Sequence, residues 1–273
     1  MRDLEPKLVV FTDLDGTLLD RETYSYEKAL PTINYLRQEG VPIIFCSAKT
    51  RAEQKVYRQK LGITDPFIVE NGGAIFINQD YFSFTFDFHR IQNGYKVIEL
   101  GTSYGEIRRI LEQISIAIRA NIRGFGDMST EEVAAETGLS REAAHLAKQR
   151  EYDETLVLKG IPQEIDSVLQ AITAAGLSYS SGGRYYDVMG TNDKGVATRI
   201  LINLFRKKFG QIKTVAIGDS PNDLPLLSVV ETPVLVQQPG GIWEEMDLPN
   251  LYRVKGIGPE GWAKAIEEIG GAH

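Results

Sequence analysis

Asp13 and Asp15 stand two residues apart in Asp13-Leu14-Asp15-Gly16-Thr17, straight after the apolar run Leu8-Val9-Val10-Phe11. Two carboxylates this close repel unless a cation or a shared proton relieves them, so the pair implies Mg2+ or acid–base work. An ordinary Asp-Gly turn is the plainer alternative. Gly218-Asp219-Ser220-Pro221-Asn222-Asp223 supplies a second pair of acids, four residues apart, after the apolar run Thr214 to Ile217. Facing the first pair, these acids would complete an oxygen-rich pocket suited to Mg2+ rather than to zinc or copper. Alone, the loop reads as a turn before a helix beginning at Pro225. In Cys46-Ser47-Ala48-Lys49-Thr50-Arg51, the Ser47 hydroxyl and neighbouring N–H groups at a helix start suit phosphate oxygens; a plain N-cap serine has the same signature. Lys194 follows Asn192-Asp193 and gains a role only if these segments converge.

Convergence requires a particular frame. Leu8–Phe11, Val41–Cys46 and Phe67–Val69 read as buried strands, separated by helical patterns over Tyr24–Glu39 (Leu30, Ile33, Leu36; closed by Gly40) and Arg51–Leu61. This βαβα alternation predicts an α/β fold, a doubly wound parallel sheet with helices on its faces. Such sheets bind ligands at their carboxyl edge, where each of the polar segments falls. The rhythm then changes. Ala74–Phe88 is expected to form a hairpin, Ala74–Ile77 and Tyr81–Phe88 flanking Asn78-Gln79-Asp80. A helix over Tyr104–Ile118 shows Ile107, Ile110, Leu111, Ile114 and Ile118 on one face. Ser129 starts a capping box, Ser140 caps a further helix, Leu156–Leu158 reads as a strand, and Ile165–Ile172 as a helix closed by Gly176. Residues 89–187 are therefore expected to form an inserted α+β domain, and 1–88 plus 188–273 the catalytic core. Alternation resumes with a helix from Asp193 and strands at Thr214–Ile217, Pro233–Val236 and Leu251–Val254.

The 273 residues can bury a full core, and 42% hydrophobic with 25% charged residues is a globular balance. A net charge of −7 argues against nucleic acid as the main partner, though not against a small anionic substrate. A single cysteine, Cys46, excludes an internal disulfide and any cysteine-based zinc site. No apolar run reaches membrane-spanning length, and Met1-Arg2-Asp3-Leu4-Glu5-Pro6 lacks a signal peptide's apolar region. The expectation is a cytoplasmic enzyme without a membrane partner, as a monomer or a homodimer.

Asp13-x-Asp15-Gly16-Thr17 and Gly218-Asp219-x-x-Asn222-Asp223, with Ser47 and Lys194 between, resemble the motifs of the haloacid dehalogenase (HAD) superfamily. The resemblance is to members with a type IIB cap inserted between the second and third motifs, and it covers essentially the full length. It implies that Asp13 is a nucleophile that carries an aspartyl-phosphate. It implies that Asp15 protonates the leaving alkoxide and then activates water, while Ser47 and Lys194 hold phosphoryl oxygens. Mg2+ is implied on the Asp13 carboxylate, the Asp15 backbone carbonyl and Asp219, with Asn222 and Asp223 orienting the metal shell or Lys194. An acid at position 15 goes with phosphatases and mutases of the superfamily rather than with dehalogenases or ATPases.

A narrower resemblance lies in Ser47-Ala48-Lys49-Thr50-Arg51-Ala52-Glu53, Gln149-Arg150-Glu151-Tyr152-Asp153-Glu154, Gly182-Gly183-Arg184-Tyr185-Tyr186 and Pro259-Glu260-Gly261-Trp262. These are similar to segments of mannosyl-3-phosphoglycerate phosphatases, which release the compatible solute mannosylglycerate. The implied substrate carries a phosphate, a carboxylate and a hexose. Lys49, Arg150 and Arg184 are candidates for the carboxylate, and Gln149, Glu151, Asn71 and Asp187 for the sugar hydroxyls. For each, a surface charge or a structural hydrogen bond is the alternative. A glucosyl-3-phosphoglycerate phosphatase, a broad sugar-phosphate phosphatase, a phosphomannomutase-like phosphotransferase and a non-catalytic binding module are the competing readings.

Overall fold

The computed structural model describes residues 6–181 and 184–270. Its first half runs β1 (Lys7–Thr12), α1 (Leu30–Gln38), β2 (Ile43–Phe45), α2 (Arg51–Leu61), β3 (Phe67–Val69), β4 (Ala74–Asn78), β5 (Arg90–Gln92) and β6 (Tyr95–Glu99). Then come α3 (Tyr104–Ile118), α4 (Thr130–Thr137), α5 (Arg141–Ala147), β7 (Asp153–Leu156), α6 (Pro162–Ala174), β8 (Ser178–Ser181) and β9 (Tyr186–Met189). The chain closes with α7 (Lys194–Phe209), β10 (Ile212–Gly218), the single turn α8 (Leu224–Leu227), β11 (Thr232–Gln237), β12 (Tyr252–Ile257) and α9 (Pro259–Gly270).

The central sheet is parallel, in the order β12-β11-β10-β1-β2. Alternation along β1 sends Val10 to a face packed by Ile33 and Leu36 of α1 and by Trp262 and Ile266 of α9, while Val9 and Phe11 meet Ala197, Leu201 and Phe205 of α7. Both faces are covered, which is why these strands read as continuous apolar runs. A bridge between Cys46 and Ile68 continues β2 into an antiparallel sheet of order β3-β4-β6-β5. A third, antiparallel sheet, β7-β9-β8, packs on α3 and α6 through Ile107, Leu111, Ile114, Val168 and Ile172. Ile118, expected on that face, is exposed.

Several expectations need correction. The first helix begins at Leu30, not Tyr24: Tyr24 has a left-handed φ of 56°, and Asp20 Oδ1 ties the preceding turn by accepting from Glu22 N and Thr23 N. Tyr81–Phe88 is no strand. Its alternating aromatics pack on α7 instead, Phe82 lying 5.5 Å from Phe205 between ring centroids. β4 pairs with β6, and β5–β6 turn at Asn93-Gly94, both left-handed as a tight hairpin turn demands. β5 and β6 thus fall inside the stretch expected to form the insert yet extend the β3–β4 sheet. β7 begins at Asp153, earlier than expected, because its two acids are buried and partnered: Asp153 by Arg150, Glu154 by Arg108 and Tyr104. The strands β8 and β9 and the helix α9 were not foreseen. Of the segments singled out in the sequence, Gly182, Gly183 and the first five residues lie outside the described residues.

Candidate active site

Three strand or helix ends deliver the charged groups. β1 delivers Asp13, whose N–H donates to the Ile217 carbonyl of the adjacent β10 (3.0 Å). β10 ends at Gly218 and delivers Asp219 and, one turn later, Asp223. α7 begins at Lys194 because Asp193 caps it, accepting from Val196 N (2.7 Å). Lys194 is 1% exposed and donates to Asp13 Oδ1 (2.8 Å) and Asp223 Oδ1 (2.7 Å). Burial works against its ammonium, but these two carboxylates more than compensate and raise its pKa.

Asp13, Asp219 and Asp223, all buried, each bring an oxygen to within 4.8 Å of the others. Burial pushes the Asp13 carboxyl well up, against the pull of Lys194. Burial also pushes Asp219 up to about 7, with Asp223 adding to it and Arg21 opposing. Three acids facing two cations, with oxygen the only donor type, fit a hard divalent cation such as Mg2+. Asp15 contributes no carboxylate oxygen to this cluster; its Oδ2 lies 3.0 Å from Lys49 Nζ. Asp223 Oδ2 accepts from Asp219 N (3.0 Å) and Ser220 N (3.3 Å), which orients the loop, and Asn222 Oδ1 accepts from Ser220 Oγ (2.7 Å).

Ser47 is buried just after β2 and lines the same cavity as Asp13. Its Oγ accepts from Lys49 N (3.3 Å), and the Thr50 capping box then starts α2. Lys49, buried beneath the Tyr24 ring, pairs with Asp15 and at 3.6 Å with Glu53. That cavity, of about 730 Å3, opens above, within the range of ligand sites. Asp13, Asp15, Ser47, Lys49 and Asn222 line it from the parallel-sheet side, its floor, and Arg150, Arg184, Tyr185 and Asp187 from the side of the β7-β9-β8 sheet, its wall.

Not every candidate meets there. Gln149 is exposed and does not line the cavity. Asn71 is buried behind the floor, its N–H donating to Ser47 O (3.1 Å) and its carbonyl accepting from Asn192 Nδ2 (3.3 Å). Glu151 turns away to Arg51 (2.5 Å). Arg150 reaches the cavity already held, by Asp153 Oδ1 (2.6 Å) and the Ala48 carbonyl (3.3 Å). Arg184 stands exposed at the rim with its guanidinium over the Tyr185 ring.

Arg21 is absent from the sequence reading, and Thr17, Gly16 and Trp262 appear there only within motifs, without the contacts they make. Arg21 Nη2 lies 2.8 Å from Asp219 Oδ2, and Thr17 Oγ1 donates to Asp219 Oδ1 (3.2 Å). Gly16 permits that approach: its φ is +82°, and a Cβ there would sit 2.7 Å from Asp219 Oδ2. Trp262, wholly buried, donates to Thr12 Oγ1 (3.0 Å), which itself donates to the Asp13 carbonyl (2.6 Å). The Pro259–Trp262 segment thus braces the backbone at Asp13.

Residues 10–239 match the family of haloacid dehalogenase-like hydrolases. A glucosyl-3-phosphoglycerate/mannosyl-3-phosphoglycerate phosphatase of Methanococcoides burtonii is 49% identical over 265 residues, 96% of this chain and 97% of that protein. A mannosyl-3-phosphoglycerate phosphatase of Pyrococcus furiosus is 39% identical over 230 residues, 84% of this chain and 90% of that protein. Among solved structures, a HAD subclass IIB sugar phosphatase superposes with a TM-score of 0.64 at 18% identity, over 97% of this chain and 99% of the other. The sucrose-phosphatase of Synechocystis, bound to sucrose and phosphate, gives 0.60 at 18% identity over 97% and 98%. At that identity these two likenesses speak for the fold.

Proposed function

Because this chain belongs to the haloacid dehalogenase-like hydrolases, we propose that it removes phosphate from mannosyl-3-phosphoglycerate and glucosyl-3-phosphoglycerate. It is a phosphoric monoester hydrolase of the HAD fold with a type IIB cap. The observation that carries the proposal is one cavity lined both by Asp13, Ser47 and Lys49 of its floor and by Arg184 and Asp187 of its wall. A phosphate can enter the first group while a carboxylate and a hexose meet the second.

The residues divide the chemistry as follows. Lys194 holds Asp13 Oδ1, leaving the other oxygen to attack phosphorus. A bond forms from Asp13 to phosphorus as the bond from phosphorus to the glycerate oxygen breaks, and Asp15 gives that oxygen a proton. Asp15, again a base, then takes a proton from water, which attacks phosphorus and frees Asp13. Ser47 and Lys194 bind the phosphoryl oxygens through both steps. Mg2+, held by Asp13 and Asp219 with Asp223 behind them, would supply charge neutralisation at those oxygens.

For the carboxylate, Arg184 is the cation best placed, since Lys49 and Arg150 already carry ion pairs. Asp187 is suited to the sugar; its Oδ1 accepts from Thr155 Oγ1 (2.7 Å), which fixes it against the cavity wall. The test is Mg2+-dependent phosphate release from the mannosyl and glucosyl compounds beside 3-phosphoglycerate and mannose 6-phosphate. A kcat/KM preference of about 100-fold for the glycosyl compounds is expected if carboxylate and sugar are both read. Comparable turnover of the simple phosphates would remove the narrow assignment and leave a general sugar phosphatase.

A further inference from the structure

Glu70 lies outside the cavity, at the end of β3, and is wholly buried. Its Oε2 accepts from three consecutive N–H groups, those of Glu151 (2.9 Å), Tyr152 (2.6 Å) and Asp153 (3.0 Å). Converging backbone N–H groups form a concavity that binds anions, and here the anion is a side chain from the other part of the molecule. The same residue also faces the floor of the site. Glu70 N donates to Lys49 O (3.2 Å), and its neighbour Asn71 N to Ser47 O (3.1 Å). Glu70 and Asn71 both hold left-handed φ values, 47° and 54°, a conformation that persists only where the surroundings determine it. Gly72 follows at +92°, and a Cβ there would lie 2.1 Å from the Asp193 carbonyl, just before Lys194. Close by, Leu100 N and Gly101 N donate to Gly73 O (2.9 and 2.8 Å).

Arg150, immediately before the clamped amides, spans the same junction, Nη1 donating to the Ala48 carbonyl. We infer that Glu70 is a positioning residue: its carboxylate seats the 151–153 segment on the Ser47–Lys49 loop and so sets the distance between the phosphate-binding floor and the Arg150 wall. Its removal should therefore spare phosphoryl transfer itself. It should harm substrates that span floor and wall together, because a displacement of about 1 Å at a positioning group costs orders of magnitude in rate.

Two arms test this. Glu70→Gln keeps the shape and the backbone strain while losing the charge, which makes it more secure to fold than Glu70→Ala. In hydrogen exchange on the intact protein, amides 151–153 should exchange at least about tenfold faster in Glu70→Gln, with the strands β1 and β10 unchanged. In the kinetic arm, kcat/KM for glucosyl-3-phosphoglycerate should fall about tenfold or more, with p-nitrophenyl phosphate turnover within about twofold of the parent. Unchanged protection at 151–153, or equal losses on both phosphates, would overturn the inference. The kinetic arm rests on the proposed substrate, whereas the exchange arm does not. A parent enzyme with no preference for glycosyl-3-phosphoglycerates would remove that substrate while exchange still decides the role of Glu70.

Discussion

The acids of the site are held apart by cations that do different work. Lys194 is buried and bonded to two carboxylates, so its place is permanent. Arg21 pairs with Asp219 from a side chain that is 45% exposed, so a divalent cation can displace it into solvent at modest cost. Arg21→Gln should therefore bind Mg2+ about two- to fivefold more tightly, measured by calorimetry without substrate at fixed ionic strength, the worth of one half-exposed ion pair. Weaker binding would mean that Arg21 belongs to the ion's own shell. Asp13, Asp15, Ser47, Lys194 and Asp219 were legible because each sits in a short motif next to a strand or at a helix start. Arg21 was not, and Trp262 stood out only within the Pro259–Trp262 segment, with no role attached. Their partners lie 198 and 250 residues away, and nothing local shows that the arginine meets Asp219 or that the tryptophan meets Thr12.

Elements that carry the site were legible wherever local pattern and tertiary burial agree. α2 and α3 begin and end as expected because Thr50 and Ser103 cap them and their apolar faces are buried. Expectation and structure part where packing overrides pattern. The aromatic alternation of Tyr81–Phe88 satisfies a strand template, but its rings are used against Phe205 and it contributes nothing to a ladder. Asp153 and Glu154 hide β7, since burying two acids in a strand needs arginine partners that no window of sequence displays. Helix α7 illustrates how an element end becomes chemistry: its cap fixes where Lys194 projects. Asp193→Ala should cost about 1 kcal/mol of stability, a fall in Tm of roughly 2–4 °C by calorimetry, and should lower kcat by loosening Lys194. An unchanged kcat beside a lowered Tm would show that the cap serves the helix alone.

At the scale of the whole molecule, the parallel sheet supplies a charged floor, and the third sheet, β7-β9-β8, with its adjoining loops supplies the wall. The floor came from motifs separated by up to some two hundred residues that a doubly wound sheet must bring to one edge. The wall came only in part from sequence, because Gln149 and Asn71 look as suitable as Arg184 until the fold leaves Gln149 outside the cavity and buries Asn71 behind its floor. Among the described residues no helix is long and apolar enough to cross a membrane. In the proposed reaction, floor and wall are united by a phosphoryl group that moves from the glycerate oxygen of the glycosyl-3-phosphoglycerate to one carboxylate. Quenching turnover of glucosyl-3-phosphoglycerate with borohydride converts an acyl phosphate on aspartate to homoserine, which peptide mass spectrometry locates. Homoserine at position 13, dependent on substrate and Mg2+ and lost in Asp13→Asn, is the predicted result. Steady turnover by Asp13→Asn, or homoserine at another aspartate, would contradict the account.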